Sequence, residues 1–112
     1  MQVSTRMDAD VLMVKLETPR LDAANAVDFR EALADFVDQG HAKIVIDLES
    51  VEFVDSSGLN VIISTLKRMG RRGSLSLTSP QPPVSSLLNL TRLDRVLNIF
   101  SSSEQALTEL TA

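Results

Sequence analysis

The chain's 112 residues, 44% of them hydrophobic, are enough to bury one core and too few for two. A formal net charge of -4 argues against nucleic-acid binding, and the lack of cysteine excludes a disulfide framework or a thiolate metal site. No apolar run approaches the ~18–20 residues of a membrane span and no signal-peptide core opens the chain, so the expected compartment is the cytoplasm. With four Phe and no Trp or Tyr, the core has to be aliphatic.

Met1 to Met7 alternates, with Val3, Thr5 and Met7 set against Gln2, Ser4 and Arg6, which predicts a half-buried strand. Asp8-Ala9-Asp10 reads as a turn and Val11 to Leu16 as a second strand, and the short connection predicts a hairpin. Turns use Asp for local hydrogen bonds and no further ligand run follows, so Asp8 and Asp10 are assigned no metal. Thr18-Pro19-Arg20-Leu21-Asp22 breaks the strand, with Asp22 placed to cap the next helix. That helix carries Ala26, Phe29, Leu33, Phe36 and Val37 on one stripe and stops at Gly40. His41, the sole histidine, reads as a solvated loop side chain.

The centre of the chain is Lys43 to Met69. Ile44, Val45, Ile46 and Leu48 form a continuous apolar run, the pattern of a strand buried on both faces. A second apolar cluster, Val51, Phe53 and Val54, leads into Asp55-Ser56-Ser57-Gly58. The period then changes: Leu59, Ile62, Ile63, Leu66 and Met69 recur at three and four residues, one face of a helix. Asp55, Ser56 and Ser57 stand where side-chain oxygens can accept from the unpaired N–H groups of a helix start. A phosphate added to a hydroxyl there would sit at the positive end of the helix dipole.

Gly70-Arg71-Arg72-Gly73 ends this helix and, with Lys67 and Arg68, makes a basic run suited to a helix C-terminus. Ser74 to Thr78 alternates, with Leu75 and Leu77 inward, as another strand. Ser79-Pro80-Gln81-Pro82-Pro83 connects to a helix with Val84, Leu87 and Leu88 on its apolar face. Leu93, Val96 and Leu97 continue the apolar content, and Leu97 to Phe100 reads as a last short strand. Ser101 with Glu104, or Ser102 with Gln105, forms a capping-box pattern that opens a final helix with Ala106, Leu107 and Leu110 facing in. Alternating strands and helices predict an α/β fold, a mixed sheet of four to five strands with about four helices packed against it, over residues 1–112 as one domain.

Catalytic readings find little support. The corner Val54-Asp55-Ser56-Ser57-Gly58 lacks the first glycine of a Gly-x-Ser-x-Gly nucleophile elbow. His41 precedes the central strand by two residues, which puts the only candidate base at the strand's other end. No Gly-x-x-x-x-Gly-Lys-Ser/Thr loop is present, and Gly40, Gly58, Gly70 and Gly73 all read as stops or turns. The expectation is a protein that is not an enzyme and carries no cofactor or metal.

Asp55-Ser56-Ser57-Gly58-Leu59, with a buried strand before it and an amphipathic helix after it, resembles the STAS domain. That family includes the anti-sigma factor antagonists and the cytoplasmic tails of sulfate transporters, and nearly the whole chain matches its element order. The resemblance implies that Ser56, the first hydroxyl after the Asp, is phosphorylated by a partner serine kinase of the ATPase-like fold, itself the anti-sigma factor. It implies that a serine phosphatase reverses the step. It also implies partner contacts from Asp22, Asp55, Ser56, Ser57, Gly58 and Leu59; the charge and the lack of a long apolar run add the expectation that neither nucleic acid nor membrane is a partner. Leu21-Asp22 matches the family's Gly-x-Leu/Ile-Asp pattern, but Pro19 stands where Gly is expected. A STAS scaffold subunit of a larger complex, as in lipid transport, and a nucleotide-binding STAS module are the rival functions.

Overall fold

The computed structural model describes residues 2–111; Met1, the first residue of the expected opening strand, lies outside them. Along the chain run β1 (Val3–Asp8), β2 (Val11–Leu16), β3 (Arg20–Leu21), α1 (Ala26–Asp38), β4 (Lys43–Asp47), β5 (Phe53–Val54), α2 (Ser56–Met69), β6 (Ser74–Thr78), α3 (Pro82–Leu90), β7 (Asn98–Phe100) and α4 (Ser103–Leu110). Five strands form one mixed sheet in the order β1-β2-β4-β6-β7. The hairpin β1-β2 is antiparallel, and every other pair in that sheet is parallel because a helix intervenes.

Period two divides each strand between two cores. Leu12, Val14, Leu16, Ile44, Ile46, Leu75 and Leu77 face α1, α2 and α3, where they meet Phe29, Leu33, Val61, Ile62, Val84 and Leu88. Val11, Met13 and Val45 face the other way, against Ala106 of α4. The central run thus fulfils its pattern: Ile44, Val45 and Ile46 are each wholly buried, on opposite faces in turn.

Several expectations are corrected. β1 is the open edge of the sheet; only Val3 packs against the core, and Met7 stays 53% exposed. Ser76 and Thr78 are buried as well as Leu75 and Leu77, because α4 covers what alternation alone marks as a solvent face. Among the described residues the Ser76 hydroxyl has no hydrogen-bond partner there. The buried stripe of α2 runs through Gly58, Val61, Ile62, Thr65 and Met69, while Leu59, Ile63 and Leu66 are only partly buried. Packing of α1 along one side of α2 rotates the buried stripe away from the most hydrophobic line. Thr65 tolerates burial by donating its hydroxyl to the Val61 carbonyl at 2.8 Å.

Candidate functional site

The candidate site is the corner where β5 ends and α2 begins. Val54 is buried and pins the end of β5 to the core, while Ser56, two residues on, is exposed as the first residue of α2. The backbone of this corner is tied to the stretch after β2. Pro19 accepts from the Glu52 and Phe53 N–H groups at 2.8 and 3.2 Å, and Leu21 accepts from the Asp55 N–H at 3.3 Å. The segment expected merely to break a strand therefore contains β3, paired parallel with β5 in a separate two-stranded sheet. Two residues are too few to show a period, so nothing in the pattern announced it.

Asp55 is the N-cap of α2, in extended backbone, and each of its oxygens has a task. Oδ1 accepts from the Gly58 N–H at 3.0 Å, closing the first turn; Oδ2 accepts from the Ala23 N–H at 3.3 Å, holding the β3–α1 connection against the helix. Asp55 thus does the capping and leaves the Ser56 hydroxyl out of it. Ser57 is half-buried, and Leu59 packs partly on the main core one turn further in.

Gly58 is no stop or turn, contrary to its reading from sequence. It lies inside α2, and a β-carbon built on it would overlap the Leu21 carbonyl oxygen and stand 2.8 Å from Val54 Cγ1. Its missing side chain is what lets the helix start sit directly on β3.

Asp22 belongs to the same corner but does not cap α1, whose N-cap is Asn25. Instead Asp22 Oδ1 accepts from the Ala24 N–H at 3.1 Å and its Oδ2 from Arg20 Nε at 3.2 Å, closing a turn ahead of the helix. Asn25 folds back in turn: its Oδ1 accepts from the Asp22 N–H at 3.0 Å and its Nδ2 donates to the Arg20 carbonyl at 2.7 Å. Asp22, Asp55, Ser56, Ser57 and Gly58 are therefore gathered at one rigid corner. Sequence reasoning missed Arg20 and Phe53 beside them; the signal available was that Val54 points inward, which turns Phe53 out.

His41 lies half-buried against Phe36, ring centroids 6.5 Å apart, near Met69 and Arg72. That is the far end of α2 from Ser56, roughly 20 Å away at 1.5 Å rise per residue. Asp10, weighed as a ligand, is 3.0 Å from Lys43 Nζ, whose hydrogen bond holds its carboxyl below the usual range. Among the described residues no three His, Asp or Glu converge as metal ligands, and no helix is long and apolar enough to cross a membrane.

The family model described as STAS domain matches residues 2–106. The chain belongs to the STAS family. Among similar proteins, a candidate anti-sigma factor antagonist of Thermotoga maritima is 33% identical over 103 residues, 90% of this chain and 91% of that one. The anti-sigma-B factor antagonist of Bacillus subtilis is 33% identical over 85 residues, covering 75% of this STAS domain and 77% of the relative. A crystal structure of a Thermotoga maritima candidate antagonist superposes with a TM-score of 0.90 at 32% identity, covering 98% of this chain and 95% of that one. The five-stranded mixed sheet with four helices is the STAS fold.

Proposed function

We propose that this STAS domain is an anti-sigma factor antagonist that works by partner switching through Ser56. The observation that carries this reading is the division of labour at the start of α2: Asp55 caps the helix, and Ser56 is exposed with its hydroxyl outside the cap. The names of the relatives point the same way.

In the unmodified state the corner of Asp22, Asp55, Ser56, Ser57, Gly58 and Leu59 docks on an anti-sigma serine kinase of the ATPase-like fold, which thereby releases its sigma factor. The kinase, holding ATP and magnesium, transfers the γ-phosphoryl group to Ser56. The bond from Oγ to phosphorus forms, ADP leaves, and the hydroxyl proton passes to a base of the kinase. A serine phosphatase hydrolyses the ester and resets the switch.

Charge decides what the phosphate does. It brings about -1.5 to -2 at neutral pH. Within the domain, a helix dipole favours it by ~0.3–1 kcal/mol at an exposed site, offset by the neighbouring Asp55 carboxylate. Water screens both effects at Ser56. In an interface the same charge is desolvated against the partner, where losses of a few kcal/mol are usual and ~1.4 kcal/mol is tenfold in affinity. Modification should therefore end docking and leave the fold intact.

The test is a mass measurement after incubation with ATP, magnesium and a panel of anti-sigma kinases, followed by binding of variants to the kinase that reacts. Phosphate should appear on Ser56 alone. Ser56→Ala should bind and resist modification, and Ser56→Asp should fold with the parent's melting transition yet bind at least tenfold more weakly. Loss of a cooperative melt in Ser56→Asp, or phosphate on another residue, would overturn the mechanism.

A further inference from the structure

Beside Ser56 lies an aromatic–cation pair that the switch above leaves unused. We infer that Arg20 and Phe53 are the anchor by which the same anti-sigma partner docks; the inference rests on the partner-switching reading. The parallel register of β3 and β5 sets Arg20 opposite Phe53 and Leu21 opposite Val54. Leu21 and Val54 turn into the core, so alternation puts Arg20 and Phe53 together on the outside. Phe29 is buried; Phe53 is 41% exposed.

The pair is held in place before anything binds. The guanidinium carbon of Arg20 stands 4.2 Å from the centroid of the Phe53 ring, while its Nε donates to Asp22 Oδ2 at 3.2 Å. Asp22 is itself fixed by the Ala24 N–H and by the Asn25 side chain. Among the described residues the two terminal nitrogens of Arg20 have no partner, so the outer end of the fork remains to receive one. A pair that served only to join two short strands would gain from burying the ring. An exposed ring under a pre-ordered guanidinium is instead the residue chemistry of interface hot spots: large rigid area, with little freedom left to lose on docking.

The geometry also specifies the partner's chemistry. Phe53 asks for an apolar shelf and Arg20 for a carboxylate. Asp22 already takes the Nε of Arg20, so the partner's acceptor meets only the two terminal nitrogens. A phosphate on Ser56, three residues from Phe53, would repel that same acceptor.

The test places the photo-cross-linking residue benzoylphenylalanine at position 53, at position 56, or at the exposed Thr108 on the opposite face, in living cells of the source organism. Cross-linked proteins are then identified by mass spectrometry. Positions 53 and 56 should capture the same anti-sigma kinase and position 108 should not. Against that kinase, Phe53→Ala should weaken binding by about 30-fold and Arg20→Lys, which keeps the charge but not the flat stack, by about threefold to tenfold. Phe53→Leu, which keeps the strand apolar, should also bind more weakly, and all three should melt with the parent. Capture of the kinase at 56 but not at 53, or parent-like binding by Phe53→Ala, overturns the anchor and leaves partner switching standing. Capture only of proteins of another class at 53 likewise overturns the anchor. No anti-sigma factor at either position overturns both.

Discussion

The two ends of α2 are built on different principles. At the N-terminus the helix meets β3 backbone to backbone, with no side chain at Gly58 to separate them and with Asp55 bonded to both Gly58 and Ala23. At the C-terminus the chain leaves through Gly70 at a φ of 65°, and the tie to the neighbouring helix is a surface ion pair. There Arg68 Nε and Nη2 donate to the two oxygens of Asp38 at 2.9 and 2.6 Å, with both side chains about half exposed. The first end has no slack; at the second Met69 still reaches the core, but the tie to α1 at the surface is a long side chain meeting a short one in water. The end that carries Ser56 is the one whose position is fixed by the backbone, which is what the proposed docking of one hydroxyl in one place would require.

Gly58→Ala should break the tight end outright. A methyl group cannot fit against the Leu21 carbonyl, so α2 and β3 must part and the Asp55 N–H to Leu21 bond must stretch. Overpacking against backbone, with no flexible side chain to yield, predicts a loss of about 3 kcal/mol. For a domain of this size that is a fall on the order of 10 °C in Tm. Chemical and thermal melts would show it, and a variant melting within about 2 °C of the parent would mean the helix start is loosely seated.

Asp55→Ala should cost less, about 1–2 kcal/mol, since it removes the cap and the Ala23 bond but leaves the packing. Asp55→Asn keeps an acceptor for Gly58 and should recover most of that stability. If Asn and Ala are equally unstable, the carboxylate's charge, and not its cap, supports the corner.

How much of this contrast is legible in sequence depends on how local its causes are. The cap of α2 is readable because Asp55, Ser56 and Ser57 are adjacent to the groups they could serve; which of the three side chains acts is a matter of geometry. Gly40 is readable as a helix stop because its requirement is its own φ of 98°. Gly58 is unreadable because its requirement belongs to Leu21, on another strand. Asp22 looks like a cap, and only the fold-back of Asn25 displaces it. Ser76 and Thr78 look solvent-facing until α4 returns over them from the chain's end. The tertiary neighbours that rotate α2 leave no local trace, since period and composition record only what each element does alone.

The loose end of α2 yields the smallest and most pH-dependent prediction. The hydrogen bond from Arg68, together with its charge, holds the Asp38 carboxyl below its usual value, and the same pair raises Arg68. A carboxyl lowered on folding contributes fully above its unfolded value, about 4, and the contribution is lost as pH falls through the lower folded value. Asp38→Asn should therefore melt on the order of 1–2 °C below the parent at pH 7, with the gap closing in acid and shrinking in high salt. Because both groups are exposed, the charge-assisted hydrogen bond is open to screening by water and salt. A gap that persists unchanged below pH 3 would assign the tie to packing of the Arg68 stem along α1, and would make the two ends of α2 more alike than their geometry indicates.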